Sequence, residues 1–171
     1  MFTKTTGEVF EPILEEEKIK ETLSLIIRCN LNFVALGVVE KTQGKRFLVC
    51  ESGFKHPLLK TPGGRPEIFD EIKENPLDTV AREIQEEIGA ITCPPGISNI
   101  FLIQKKENRK GNYYYTIVFD LKYYSGEIKK GNEIAELKEF TKEEVSDLIS
   151  LKKMEYLHIP IWKYYINNLW K

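Results

Sequence analysis

Gly63-Gly64-Arg65-Pro66-Glu67, leading on to Arg82-Glu83-Ile84-Gln85-Glu86-Glu87-Ile88-Gly89, is the stretch around which the chain reads. Its second half predicts a short amphipathic helix. Asn75 is a good N-cap, Pro76 suits the first helical position, and Asp78 brings negative charge to the first turn. Leu77, Val80, Ala81, Ile84 and Ile88 recur at helical spacing and form one apolar face. Gly89 fits the C′ position. The opposite face carries Glu83, Glu86 and Glu87, and spacings of three and four residues set these carboxylates side by side.

Such clustering needs a reason, because like charges at this spacing destabilise an isolated helix by a few tenths of a kcal/mol per pair. Arg82 offsets part of this through Glu86, four residues on. One reading is a solvated acidic face. The other is a site for a hard divalent cation, since Mg²⁺ is held by a few carboxylates, keeps several waters and shares its shell with substrate phosphates. Gly63 and Gly64 would let the backbone come close to a ligand.

These residues resemble the Nudix box, whose pattern runs Gly, five residues, Glu, seven residues, then Arg-Glu-apolar-any-Glu-Glu-any-Gly-apolar. Arg82 through Ala90 matches the second half at every position, with Ala90 a small residue for the last apolar slot. Glu74 stands the required seven residues before Arg82. Nine residues separate Gly64 from Glu74, four more than the pattern has. The excess is placed within Ile68-Phe69-Asp70-Glu71-Ile72-Lys73, as a bulged loop that leaves the helix intact.

The resemblance implies an α/β/α sandwich with a mixed sheet, here with an extra N-terminal segment and a C-terminal helix. It implies hydrolysis of a nucleoside diphosphate linked to another moiety, with Mg²⁺ or Mn²⁺ as cofactor. Carried over by position, Glu83 and Glu87 are the main metal ligands and Glu86 is a ligand or the base. Arg82 holds the carboxylates in place, and the Gly64 carbonyl completes the shell. Gly63, Glu74 and Gly89 are structural members of the box. The family also tends to place a catalytic glutamate in the loop before the last strand, a position that falls to Glu133, with Glu136 second.

The expected partner is a small nucleotide. Residue 104, where an ADP-ribose hydrolase usually carries proline, is Gln104, and Tyr113 lies too late for the dinucleoside polyphosphate signature. A nucleoside triphosphate, a nucleotide sugar, a dinucleotide and a capped RNA end stay open. The alternative function is a non-catalytic nucleotide sensor or protein-interaction module on the same fold. Such domains usually lose box glutamates, and here all are intact.

Outward from the box, the 171 residues suggest one domain, and 42% hydrophobic with 30% charged residues is a globular composition. A net charge of −1 gives no electrostatic reason for nucleic acid or a membrane surface. The chain has no apolar run of transmembrane length and no signal-peptide pattern, so a cytoplasmic protein is expected. Cys29, Cys50 and Cys93 read as small core residues in a reducing compartment, and His56 and His158 as structural.

Residues 1–30 are expected to form a helical N-terminal extension, with Ile19, Leu23, Ile26 and Ile27 on one face, although Leu23–Arg28 would also suit a strand. Leu31–Glu40 and Lys45–Glu51 are two β-rich runs joined by a turn, hence an expected hairpin. Ile97–Gln104 reads as a strand and Tyr113–Tyr124 as a strong one. The Lys105–Asn112 segment between them reads as a solvated hairpin tip, with a phosphate or RNA contact as the minor reading. Thr141 and Glu144 form a capping box for a helix. A C-terminal helix over 155–171 carries Ile161, Trp162, Tyr165, Ile166, Leu169 and Trp170 as a stripe. That stripe packs on the domain or, through both terminal helices, on a second copy in a homodimer.

Overall fold

A computed structural model describes residues 12–107 and 110–171; expectations for residues 1–11 and for Asn108 and Arg109 lie outside them. Along the chain come α1 (Glu16–Arg28), β1 (Phe33–Glu40), β2 (Lys45–Glu51), β3 (Gly63–Gly64), β4 (Ile68–Phe69), β5 (Ile72–Lys73) and α2 (Pro76–Ile88). They are followed by β6 (Ile91–Thr92), a 3-10 turn at Ile97–Asn99, β7 (Ile100–Glu107), β8 (Tyr113–Ser125), β9 (Ile134–Thr141), α3 (Lys142–Ser150) and α4 (Ile159–Asn168).

β8 is the spine. It is aromatic and β-branched and free of Gly and Pro, so it can pair along both edges. β1 runs parallel to it, from Phe33 opposite Tyr115 to Glu40 opposite Lys122. β7 and β6 pair antiparallel with its other edge, and β3 adds to the outer side of β1. α1 and α2 cover one face through Ile19, Leu23, Ile26, Val80, Ile84 and Ile88. α4 covers the other through Ile161, Trp162 and Tyr165, packed with Leu36, Val38, Leu102 and Val118. The result is an α/β/α sandwich around a mixed sheet.

Several expectations are corrected. β1 and β2 form no hairpin: β2 pairs antiparallel with β9, Lys45 opposite Thr141. Both strands are apolar on both faces and buried almost throughout, so each can sit inside the molecule with a distant partner. Leu23–Arg28 is helical, within α1. Ile97–Asn99 is a 3-10 turn, held by Asn99, whose side chain accepts from the Gly96 N–H and donates to the Asp120 carbonyl. β7 runs on to Glu107, so Lys105 and Lys106 lie in a strand and not in a solvated tip. The C-terminal helix covers Ile159–Asn168, and 155–158 form a turn before it. Its stripe turns inward onto the chain's own core. Of the cysteines, Cys50 is buried but Cys29 and Cys93 are exposed. Among the described residues, no helix is long and apolar enough to cross a membrane.

Candidate functional site

The site is assembled where α2 passes beneath β3. Asn75 caps α2 by accepting from the Leu77 and Asp78 N–H groups, and Gly89, at φ 73°, ends it. Val80, Ile84 and Ile88 anchor the inner face in the core. Leu77 is only partly buried, and Thr79, which carries no apolar signal, is fully buried instead. This fixes the direction of Glu83, Glu86 and Glu87.

Two of these glutamates converge on the Gly63–Gly64 turn. Glu87 Oε2 accepts the Gly63 N–H at 2.8 Å. The Glu83 carboxyl lies so close to Gly64 that a Cβ there would stand 2.6 Å from it. Gly63 is required by two things at once: φ of 136°, and the Ala35 carbonyl 2.2 Å from where its Cβ would be. The paired glycines therefore bring the backbone against β1 on one side and against the carboxylates on the other.

Arg82 organises the acid face. Its guanidinium grips Glu74 from Nε and Nη2, with Nη2 at 2.9 Å. Nη1 donates to Glu83 at 3.1 Å and to Glu86 at 2.9 Å, and Nη2 also donates to the Arg65 carbonyl at 2.9 Å. Partial burial works against its charge, but the three carboxylates outweigh that and hold its pKa above the ordinary value. Glu74 answers in kind: burial opposes its charge, but Arg82 and the Glu67 N–H hold the carboxyl below its usual range.

Glu87 is the perturbed group. Burial pushes its pKa up to about 7, with Glu83 and Glu51 adding and Lys60 and the Gly63 N–H opposing. Glu83 is also raised, chiefly by burial, against the pull of Arg82. Lys60 stands 3.6 Å from Glu87 and pairs with Glu51. Burial disfavours the Lys60 ammonium, but Glu87 and Glu51 keep it charged, with a raised pKa.

Of the expected site residues, the structure brings Arg82, Glu74, Glu83, Glu86, Glu87, Gly63 and Gly64 together. Glu86 is the most exposed of the glutamates. Glu133 and Glu136 are exposed and not brought in by any ion pair among the described residues; Glu133 contributes its carbonyl, accepting from the Ser52 N–H and hydroxyl. The loop before β9 does meet the box, since the Gly131 N–H donates to the Glu87 carbonyl. Sequence reasoning missed Glu51 and Lys60. The one signal was an acidic residue ending a wholly apolar strand, followed by a lysine before the box.

The excess residues of the box form the β4–β5 hairpin, with Asp70 and Glu71 at φ 47° and 68° in its turn. Two successive left-handed residues are what a two-residue hairpin loop demands. Ile68, Phe69 and Ile72 are left exposed on it. The spacing is absorbed as a projecting hairpin beside Glu74, and α2 still begins at Pro76.

Hard oxygen donors at this turn suit a magnesium-like cation. Among the described residues, no three ligating side chains stand together as a ready cage, because Arg82, Lys60 and the Gly63 N–H each engage a glutamate. The donor set, the glycine cradle and two carboxylates with raised pKa values fit such an ion.

A NUDIX domain model matches residues 31–161. No curated protein sequence matches the chain. Among solved structures, a NUDIX hydrolase from Nitrosomonas europaea is 18% identical, with TM-score 0.64 over 82% of this chain and 91% of that one. A MutT protein from Methanosarcina mazei is 19% identical, with TM-score 0.64 over 82% and 96%. A UDP-X diphosphatase is 18% identical, with TM-score 0.51 over 91% and 72%. At these identities the likeness is one of fold.

Proposed function

The chain belongs to the Nudix family of pyrophosphohydrolases, and from that premise we propose that it hydrolyses a diphosphate bond in a nucleoside diphosphate derivative, with Mg²⁺ or Mn²⁺. The substrate class spans nucleoside triphosphates, nucleotide sugars and dinucleotides. The observation that carries the reading is the convergence of the Glu83 and Glu87 carboxylates on the Gly63–Gly64 turn.

Glu83, Glu86, Glu87 and the Gly64 carbonyl would hold the ion. When bound, the cation neutralises charge developing on the diphosphate and lowers the pKa of a coordinated water. The chain's own part is positioning, the main demand of phosphoryl transfer. Arg82 fixes Glu83 and Glu86 from one side, and Lys60 and the Gly63 N–H fix Glu87 from the other. A carboxyl with its pKa near 7 is suited to take a proton from water at neutral pH, so Glu87 is as well placed for base as for ligand. The three free thiols suit a reducing compartment, and we place the reaction in the cytoplasm.

The test is a panel of nucleoside diphosphate derivatives incubated with Mg²⁺ or Mn²⁺, the products resolved by chromatography. Cleavage at a diphosphate bond, abolished by chelator and restored by metal, is expected. Turnover unchanged in excess EDTA would overturn the metal assignment, and no cleavage across the panel would overturn the activity.

A further inference from the structure

Lys106 is a cation that the fold leaves without a counter-charge. It lies on β7 at 6% exposure, facing the α4 side of the sheet together with Leu102 and Gln104. Its ammonium makes one hydrogen bond, to the Leu157 carbonyl at 3.3 Å. No carboxylate among the described residues pairs with it. Burial accordingly pulls its pKa down to about 8. Two places along the same strand, Gln104 is 1% exposed and its side-chain oxygen has no donor. An unpaired ammonium and an unpaired amide on one buried face are costly for stability alone.

Their surroundings connect them to the site. Leu157 lines a cleft of about 260 Å³ together with Phe54, Leu58, Tyr156 and the carboxylates Glu51 and Glu155. Glu51 leads through Lys60 to Glu87, so the cleft adjoins the box glutamates. Across the strand pair Lys106 faces Tyr114. Burial raises the Tyr114 phenol, and the charges of Tyr156 on the cleft and Arg65 beside Gly64 both act on it. Lys106 thus stands between the aromatic cleft and the glycine turn.

We propose that Lys106 is a substrate-recognition residue, receiving a phosphate oxygen of the nucleoside diphosphate derivative at the inner end of this cleft. The inference rests on the proposed activity and names a group by which that site holds its substrate. A full negative charge is required, because a neutral acceptor would not repay the desolvation of a buried ammonium. The cleft's own carboxylates do not serve, since Glu51 is committed to Lys60 and Glu155 faces His158 Nε2 at 3.6 Å.

The test compares wild type, Lys106→Met, which keeps the stem and removes the charge, and Lys105→Met, which removes the same charge on the other face of the strand. Each is melted without ligand. Each is then titrated calorimetrically with α,β-methylene-ADP, a diphosphate that cannot be cleaved at its bridging carbon. Lys106→Met is expected to melt at or above the wild-type temperature and to bind the probe at least tenfold more weakly. Its KM should rise while kcat is kept, and Lys105→Met should bind as wild type does. A Lys106→Met protein that melts well below wild type marks a structural strut and overturns the proposal. Equal probe binding by all three proteins, with turnover intact, overturns the role of Lys106 alone. Wild type that neither binds the probe nor cleaves any nucleotide overturns this inference and the activity together.

Discussion

Glu87→Gln separates chemistry from stability with one isosteric change. Glu87 is half-buried against Gly63 and Lys60, and its pKa is raised from 4.5 to about 7. A raised carboxyl binds more protons folded than unfolded between these values, so it makes stability fall as pH climbs through that window and leaves a constant deficit above it. A shift of this size corresponds to roughly 3 kcal/mol, which is a ceiling. Gln cannot ionise, and its amide oxygen can still accept the Gly63 N–H, but Lys60 is left with Glu51 as its close partner. A net gain of about 1–2 kcal/mol above neutral pH is expected, or roughly 2–8 °C in melting temperature for a domain of this size. The assay is thermal melting with chelator at pH 5 and pH 8, beside turnover with saturating Mg²⁺. The variant should gain at pH 8, converge with wild type toward pH 5, and lose turnover by a hundredfold or more (on the order expected when a preorganised charge group is removed). A Glu87→Gln protein that melts earlier at pH 8 yet turns over normally would show the acid face to be structural.

Gly64→Ala should leave the backbone acceptable but drive a Cβ to 2.6 Å from the Glu83 carboxyl, so turnover should drop on the order of a hundredfold with a small change in melting; wild-type kcat would refute the convergence. Ile84→Ala empties a fully buried position on the inner face of α2 and should cost roughly 2–5 kcal/mol in denaturant titration, with activity per folded molecule largely kept. His158 is buried with its pKa lowered to about 3, so it works oppositely to Glu87: stability is fully present above about 6.5 and lost as pH falls below that. The two slopes oppose each other between about 4.5 and 6.5, so chelated wild type should melt almost independently of pH there while Glu87→Gln loses stability on acidification; a flat Glu87→Gln profile would refute the linkage.

How far the sequence reached depends on the range of each interaction. The α2 boundaries were legible because their causes lie within four residues: Asn75 accepting from Asp78, Pro76 in the first turn, Gly89 closing the last. The capping box of Thr141 and Glu144 was legible for the same reason. The pairing of β2 with β9 was not, because Lys45 and Thr141 meet across most of the chain and neither strand alternates. A turn between two apolar runs predicts a hairpin only when each run has a wet face to register the other. The β4–β5 hairpin was read as a loop because its turn uses Asp70 and Glu71, where Asn-Gly or Asp-Gly would have announced it.

The same contrast divides the site. The three box glutamates and Arg82 share one helix, so helical spacing alone sets them together. Glu51 and Lys60 reach Glu87 only because β2 leaves its apparent partner, crosses to β9 and delivers its last residue at the glycine turn. That delivery changes the electrostatics. Repulsion among exposed glutamates on a helix would account for a few tenths of a kcal/mol per pair, yet burial beneath β3 raises Glu87 far beyond that. Lys60 and Arg82 flank the acid face with positive charge from two elements, which keeps three neighbouring carboxylates in a folded chain. A divalent cation entering the turn would have to win Glu87 from Lys60 and Glu83 from Arg82, so metal affinity is set by residues outside the box as much as by the glutamates in it.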